Sequence, residues 1–269
     1  VKRRSLRSKN GPKPERAQLF EDYFNSIYGE RWAKIREGLR HPPRQQVLKN
    51  PFSDNLQDYR LDVASLAPTH HLDARIGHRI ADFCASPGGK SLSLIFALKG
   101  EASFSCNDLS PGRVQRLKAV FHDCLPAEIF ARIDISRSDA SRWGLSRKEE
   151  FDRILIDAPC SGERHLLESP QELGRWSMKG VKGLAVRQHA LLCSALDCLK
   201  SGGRAVYSTC SINPLENDGV IERLKESREG LFEVIPVENE LGETTANGRL
   251  ILPDRDACGP IYFSVLEKN

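Results

Sequence analysis

Two cysteines each close an apolar run. Cys160 ends the stretch FDRILIDAPC (residues 151–160), and Cys210 ends RAVYSTC (residues 204–210). A short β-branched run with charge before it and turn formers after it reads as a parallel strand in a sheet covered on both faces. Ligands of open α/β sheets bind beyond the carboxyl ends of the strands. Asp157, Cys160 and Cys210 are therefore expected at one rim. A thiolate is the strongest common side-chain nucleophile and adds to electron-poor carbon, and a nearby carboxyl group can hold or protonate the target. A lone strand-end cysteine is more often simply buried, and residues 159–161 and 209–211 also read as ordinary turns. The weight rests on the pair together with the acid.

Such a rim needs a sheet, and the alternation for one begins at Arg79. Residues 80–85, 102–107, 129–135, 151–157 and 205–209 read as strands. Residues 91–99, 185–199 and 215–225 read as helices, the second closed by Gly202 and Gly203. Ser110 and Pro111 read as N-cap and first residue of a further helix that buries Val114, Leu117 and Phe121. Residues 232–237 and 260–266 are expected to be strands joined by a loop, which puts one antiparallel strand at the sheet's end. The fold class is α/β, a doubly wound Rossmann-like sheet, mostly parallel. Before it, residues 17–58 read as a helical segment and a polar linker, with Phe20, Phe24 and Ile27 on one helical face and Trp32, Ile35 and Leu39 on another. Residues 59–269 form the main domain.

The other strand ends outline a second ligand. Ser86, Pro87, Gly88, Gly89 and Lys90 make a tight turn between a strand and a helix N-terminus, a place that favours an anion. A phosphate loop would need glycine where Cys84 stands, and the dinucleotide fingerprint G-x-G-x-x-G is absent. A smaller ligand with a carboxylate fits better. Asp108, after the second strand, can accept from ribose hydroxyls, and Asp139, followed by Ala140 after the third, can reach an adenine amino group. Either acid alone reads as a loop residue or a helix cap. Carboxylate, ribose and base together are the outline of S-adenosyl-L-methionine. With a methyl donor there, the thiols suit a pyrimidine. Cytosine C5 is a weak nucleophile until a thiolate adds at C6, and a second group must then help to eliminate the enzyme.

These stretches carry a resemblance. Residues 82–90 (DFCASPGGK), 107–111 (NDLSP) with Arg113, 157–160 (DAPC) and 207–210 (YSTC) resemble the Sun-domain (Fmu-like) family of RNA cytosine-5 methyltransferases. Residues 107–117 and 259–263 (GPIYF) are most similar to the short members that act on mitochondrial small-subunit rRNA or mitochondrial tRNA. The resemblance implies Cys210 as nucleophile, Cys160 as the cysteine that assists product release, and Asp157 as the residue that holds the base and borders the donor. It also implies that Gly88, Gly89, Lys90, Asp108, Arg113 and Asp139 line the S-adenosylmethionine site. Ser86 departs from the family's usual alanine, and SGERH (residues 161–165) departs from its commonest loop. Many members carry a further RNA-binding domain, and none is expected here.

Composition bounds the partners. The net charge of +4 is mild, but Lys2, Arg3, Arg4, Arg7, Lys9, Lys13 and Arg16 face a single acid, Glu15. Residues 1–16 are expected to be a flexible basic arm, drawn to polyanions or left from a transit peptide. Residues 161–187, long for a connection, carry Arg164, His165, Arg175, Trp176, Lys179, Lys182 and Arg187 and are expected to move and hold RNA, Trp176 either stacking on a base or packing down; a mobile surface loop with scattered charge is the alternative. rRNA is favoured over tRNA, with a protein partner as a further source of recognition. The eight cysteines show no zinc spacing, so reduced thiols and no metal are expected. No apolar run approaches the ~20 residues that span a bilayer. The compartment is the cytoplasm for a bacterial source, the mitochondrial matrix as the alternative. Two rival readings stand beside the enzyme: an RNA-binding ribosome-assembly factor whose methyl transfer is dispensable, and a redox or hydrolytic cysteine enzyme served by His165.

Overall fold

The computed structural model describes residues 14–269. The basic block from Lys2 to Lys13 lies outside them. Two helices, α1 (Pro14–Tyr28) and α2 (Trp32–Arg40), open the fold across a 3-10 turn at Gly29–Arg31. Arg16, expected in the arm, belongs to α1 and donates to the Arg175 carbonyl at 3.2 Å. The two apolar faces bury one continuous cluster in which Phe20 and Phe24 meet Trp32.

Residues 40–69 are more ordered than a linker. They form a hairpin of β1 (Gln45–Leu48) and β2 (Tyr59–Asp62), a 3-10 turn at Val63–Ser65, and α3 (Leu66–His71). The hairpin pairs residues from both sides of the expected boundary at 58/59. Strands of four residues are too short for alternation to distinguish them from coil.

The sheet follows: β3 (Arg79–Asp82), α4 (Gly89–Ala97), β4 (Ser103–Asn107), α5 (Pro111–Cys124), α6 (Ala127–Phe130), β5 (Asp134–Ser136), β6 (Phe151–Asp157), α7 (Glu163–Glu168), α8 (Pro170–Leu173), α9 (Met178–Cys198), β7 (Leu199–Thr209), α10 (Asp218–Ser227), β8 (Phe232–Ile235), β9 (Glu243–Thr244), β10 (Arg249–Ile251), α11 (Pro253–Asp256) and β11 (Ile261–Lys268). Strand order is β5-β4-β3-β6-β7-β11, parallel through β7, with β11 antiparallel to β7 and paired on its far side with β8 and β10. Ile154 and Ile156 point into one core and Leu155 into the other, as a period of two requires when both faces are covered. Strand order reverses between β3 and β6, which places the switch-point crevice at the ends that carry the glycine turn and Asp157.

Three expectations need correction. Residues 129–135 are not one strand. Pro126 starts the short helix α6, its carbonyl accepting from Ile129 and Phe130, and only Asp134–Ser136 pairs with β4. A short apolar run does not distinguish a buried helix turn from a strand. Residues 161–187 form α7, α8 and the first part of α9 instead of an open connection. Ser177 Oγ accepts from Gly180 N at 3.2 Å and so starts α9 before residue 185. The segment between β8 and β11 is more than a loop, since β9, β10 and α11 lie within it.

Candidate active site

β6 and β7 run side by side, with Asp157 paired to Ser208 in register, so their ends deliver two thiols to one point. Cys160 and Cys210 are both free, and their sulfurs lie 3.0 Å apart, Cys210 the more exposed. The hydrogen bond to Cys210, then burial, holds the Cys160 thiol well above its ordinary value. Cys160 is thus kept as a thiol beside the exposed sulfur. Asp157 Oδ1 accepts from the Ser208 hydroxyl at 2.9 Å, and Oδ2 takes the Lys90 ammonium at 2.7 Å. Burial alone would lower Lys90. The Asp157 charge and hydrogen bond outweigh it, with a smaller contribution from Cys210, and hold the ammonium above its ordinary value.

Three depressions share these walls. The first, about 410 Å³, lies over the ends of β3, β4 and β5 and is lined by Asp108, Arg113, Asp139 and Ala140. The second, about 120 Å³, lies between Tyr59 and the turn that holds Ser86, Pro87, Gly89 and Lys90. The third, about 450 Å³, opens over Lys90, Asp157, Cys160 and Cys210. Cys84 lines the first two, Arg113 the first and third, and Lys90 with Asp157 the last two, so the three form one bent cleft.

The expected cofactor residues other than Gly88 are therefore assembled along one path, with local roles of their own. Asp108 Oδ1 accepts from Ser110 N at 3.0 Å, and Oδ2 pairs with Arg113 Nε at 2.8 Å. Ser110 stands at the N-cap of α5 in extended conformation, but its hydroxyl makes no cap. Arg113 also donates to the Ser86 carbonyl at 2.7 Å, and Ser86 Oγ donates back to the Arg113 carbonyl at 2.8 Å. A serine in place of the family's alanine thus ties the turn to α5. Asp139 Oδ1 caps the 3-10 turn Ala140–Leu145 through Ser141, and none of the described residues bonds its Oδ2. A nucleoside-sized cavity between Asp108 and Asp139, with a smaller one over a helix N-terminus, fits S-adenosylmethionine.

The glycines serve the fold first. Gly88 sits at φ +119°, where side chains are strained, and a Cβ there would meet Leu117 and Phe121 of α5 at about 3 Å. A Cβ on Gly89 would meet the Tyr59 ring at 2.7 Å. The space beside each Cα where a Cβ would stand is filled by protein, and Gly89 lines the second depression. Tyr59 is itself a cleft residue that the sequence did not mark, because its chain segment reaches the turn only through the β1–β2 hairpin.

Trp176 is a core residue, not a base-stacking one. It is 7% exposed and packs edge-on to Phe20 at 5.4 Å and against Tyr23 and Phe24. Arg164 is a clamp: it donates to the carbonyls of Leu39, at 2.9 Å, and of His41 and Gly259, which fastens α2 and the loop before β11 to the thiol loop. Arg175 pairs with Glu172. His165, Lys179, Lys182 and Arg187 stay exposed, and Arg187 lines the first depression.

Comparison with known proteins adds the lineage. The family model described as 16S rRNA methyltransferase RsmB/F matches residues 69–267. The chain belongs to the RsmB/F family. It is 35% identical over 230 residues to the 5-cytosine rRNA methyltransferase NSUN4 of Xenopus laevis, covering 78% of this chain and 56% of that protein. It is 31% identical over 225 residues to the mitochondrial tRNA (cytosine(34)-C(5))-methyltransferase of Danio rerio, covering 79% and 61%. The chain thus spans somewhat over half the length of these curated relatives. The structure of NSun6 from Pyrococcus horikoshii with SFG, an S-adenosylmethionine analogue, superposes with a TM-score of 0.67 at 21% identity over 80% of this chain and 54% of that one, which shows a shared fold.

Among the described residues no group of His, Cys, Asp or Glu could hold a metal ion, and no helix is long and apolar enough to cross a membrane.

Proposed function

We propose that this protein transfers a methyl group from S-adenosylmethionine to C5 of a cytosine in structured RNA, with rRNA favoured and tRNA as the alternative. The observation that carries the reading is the pair of free sulfurs 3.0 Å apart, facing Asp157 at the end of a cleft long enough for a nucleoside and its amino-acid tail. Relatives named for rRNA and tRNA cytosine-5 transfer support it.

In this reading Asp108 and Asp139 hold the nucleoside end of the donor, and the turn from Ser86 to Lys90 holds its amino-acid end. The donor supplies an electrophilic methyl group on a sulfonium. Asp157, steadied by Lys90 and Ser208, grips the N3 and amino edge of the cytosine and supports proton transfer to N3. Cys210 Sγ bonds to C6, and the displaced π electrons make C5 nucleophilic enough to take the methyl group from the sulfonium, whose sulfur keeps the bonding pair as a neutral thioether. C5 then loses its proton to a base, the bond from Cys210 to C6 breaks with its pair returning to sulfur, and the proton on N3 is released, which restores the aromatic base. Cys160, held as a thiol next to Cys210, assists that release. The target must be unpaired or flipped, since a thiol cannot reach C6 inside a stack. Lys179, Lys182 and Arg187 on the exposed start of α9 supply phosphate contacts, and a protein partner adds to RNA recognition.

The test is Cys160→Ala incubated with cellular RNA and S-adenosylmethionine. The variant stays covalently joined to RNA on a denaturing gel, and sequencing the joined RNA names the cytosine. A variant lacking Cys210 as well joins nothing. If Cys160→Ala joins no RNA while the unaltered protein methylates it, the division of roles between the cysteines is wrong.

A further inference from the structure

Behind the thiols sits a second pair that the mechanism does not use. Glu163 opens α7 three residues after Cys160, and Glu216 lies six residues after Cys210. Both are 0% exposed. Burial and then the Glu216 charge are the largest influences on Glu163, and no cation is among them.

The residues that directly follow the cysteines bridge this pair. The Ser161 hydroxyl touches Oε1 of both glutamates. The Ser211 hydroxyl does the same at 3.2 Å from Glu163 and 3.1 Å from Glu216, and the two hydroxyl oxygens lie 3.1 Å apart. Main-chain bonds cross between the loops: Ser161 N donates to Glu216 Oε2 at 2.9 Å, and Ile212 N donates to Glu163 Oε2 at 3.0 Å. Gln188 Nε2 of α9 reaches Glu216 Oε2 at 2.9 Å and the Pro159 carbonyl at 2.8 Å. Each cysteine loop is thus held by the glutamate that follows the other cysteine.

The proton count decides the charge. Two serine hydroxyls offer two protons to a quartet of oxygens that touch one another five times. With both carboxyls ionised, some contacts would set lone pair against lone pair beside two buried like charges. One more proton satisfies a third contact: a protonated Glu163 donates to one serine oxygen, and both hydroxyls donate to Glu216. Glu163, raised by burial and by the Glu216 charge, is the site for that proton, and Glu216 Oε2 accepts from Ser161 N and Gln188 Nε2.

We propose that Glu163 and Glu216 are positioning residues, a carboxylic acid–carboxylate pair that locks the two cysteine loops together and so sets the spacing of Cys160 and Cys210. The proposal rests on the reading of those thiols as the reacting pair. Burial, then the Glu216 charge, pushes Glu163 up to about 7. The other titratable groups that face the pair are Tyr23 and Tyr28 of α1, Tyr207 of β7, all raised by burial, and the two thiols. Above the pair's upper titration both carboxyls ionise, the loops part, and transfer slows.

The experiment uses Glu163→Gln and Glu216→Ala with two readouts. One is single-turnover methyl transfer from about pH 6 to 9. The other, at fixed pH, is the rate at which diamide joins Cys160 to Cys210; the two thiols lose two electrons and two protons to its N=N bond. Glu163→Gln keeps a neutral donor in place of the acid, loses no more than about threefold in either rate, and no longer slows on the alkaline side. Glu216→Ala slows both rates at least about tenfold, with S-adenosylmethionine affinity held. The brace is refuted if Glu163→Gln keeps the alkaline fall, or if Glu216→Ala joins its thiols at the unaltered rate. If Glu216→Ala does not fold, the Glu163→Gln pH profile decides alone. If the unaltered protein transfers no methyl to RNA, the proposed activity fails, and the thiol-joining rates still decide the brace.

Discussion

Replacing Trp176 with alanine separates a core residue from an RNA contact. The indole is 7% exposed, with Phe20, Tyr23 and Phe24 within 5.4 to 6.3 Å of its ring. An aromatic side chain buries roughly 200 Å², which at about 25 cal/mol per Å² is about 5 kcal/mol. Two effects trim that figure. Phe20 and the neighbouring rings relax partly into the hole, and the indole N–H is buried with no partner among the described residues, so its loss relieves a cost. A loss of about 3 to 5 kcal/mol remains, in line with large-to-small changes in other cores. For a chain of this size that lowers the melting temperature by roughly 6 to 20 °C. Trp176→Phe, which keeps most of the ring contact and removes the orphan N–H, loses about 1 kcal/mol or less. Urea and thermal unfolding of both variants measure this, with RNA affinity measured below the transition. If Trp176→Ala unfolds like the unaltered protein but binds RNA at least about tenfold more weakly, the packing argument is refuted and the stacking role returns.

Three further outcomes follow from the geometry. Asp82 is buried beside Ser91 and pushed up to about 7, first by burial; its stabilising share is whole below the unfolded value and is lost as pH rises to about 7, roughly 4 kcal/mol in all. Asp82→Asn therefore flattens the stability profile between about pH 4 and 7, and urea midpoints taken across that range read it directly. Asp108→Asn leaves Arg113 without its ion pair and weakens S-adenosylmethionine binding by at least about tenfold in calorimetry, while thermal stability moves by roughly 1 kcal/mol or less. Arg164→Met strips a donor from three carbonyls and costs about 2 to 4 kcal/mol in denaturant unfolding; an unchanged midpoint would show that the clamp is idle.

The chemistry of this protein is legible in its sequence because it resides at strand ends. Asp157, Cys160 and Cys210 follow apolar runs whose direction in a parallel sheet is set by the alternation with helices, so their convergence at one rim follows from pattern alone. Asp108, Asp139 and the turn from Ser86 to Lys90 follow by the same rule, each lying in the loop directly after its strand. What the pattern does not carry is any role that depends on two distant segments meeting. Trp176 and Arg164 read as exposed loop residues until α1 and α2 fold back over them. Gly88 and Gly89 read as part of an anion-favouring turn, and only the fold shows that Leu117, Phe121 and Tyr59 pack where their side chains would be. Glu163 and Glu216, 53 residues apart in the chain, are ordinary surface acids by type. Only the closing of the two cysteine loops on one another buries them and turns them into a pair. Local sequence thus determines which atoms can react and on which edge they stand. Tertiary packing alone decides how those atoms are held, because burial and pairing are properties of neighbours that the chain brings together only when folded.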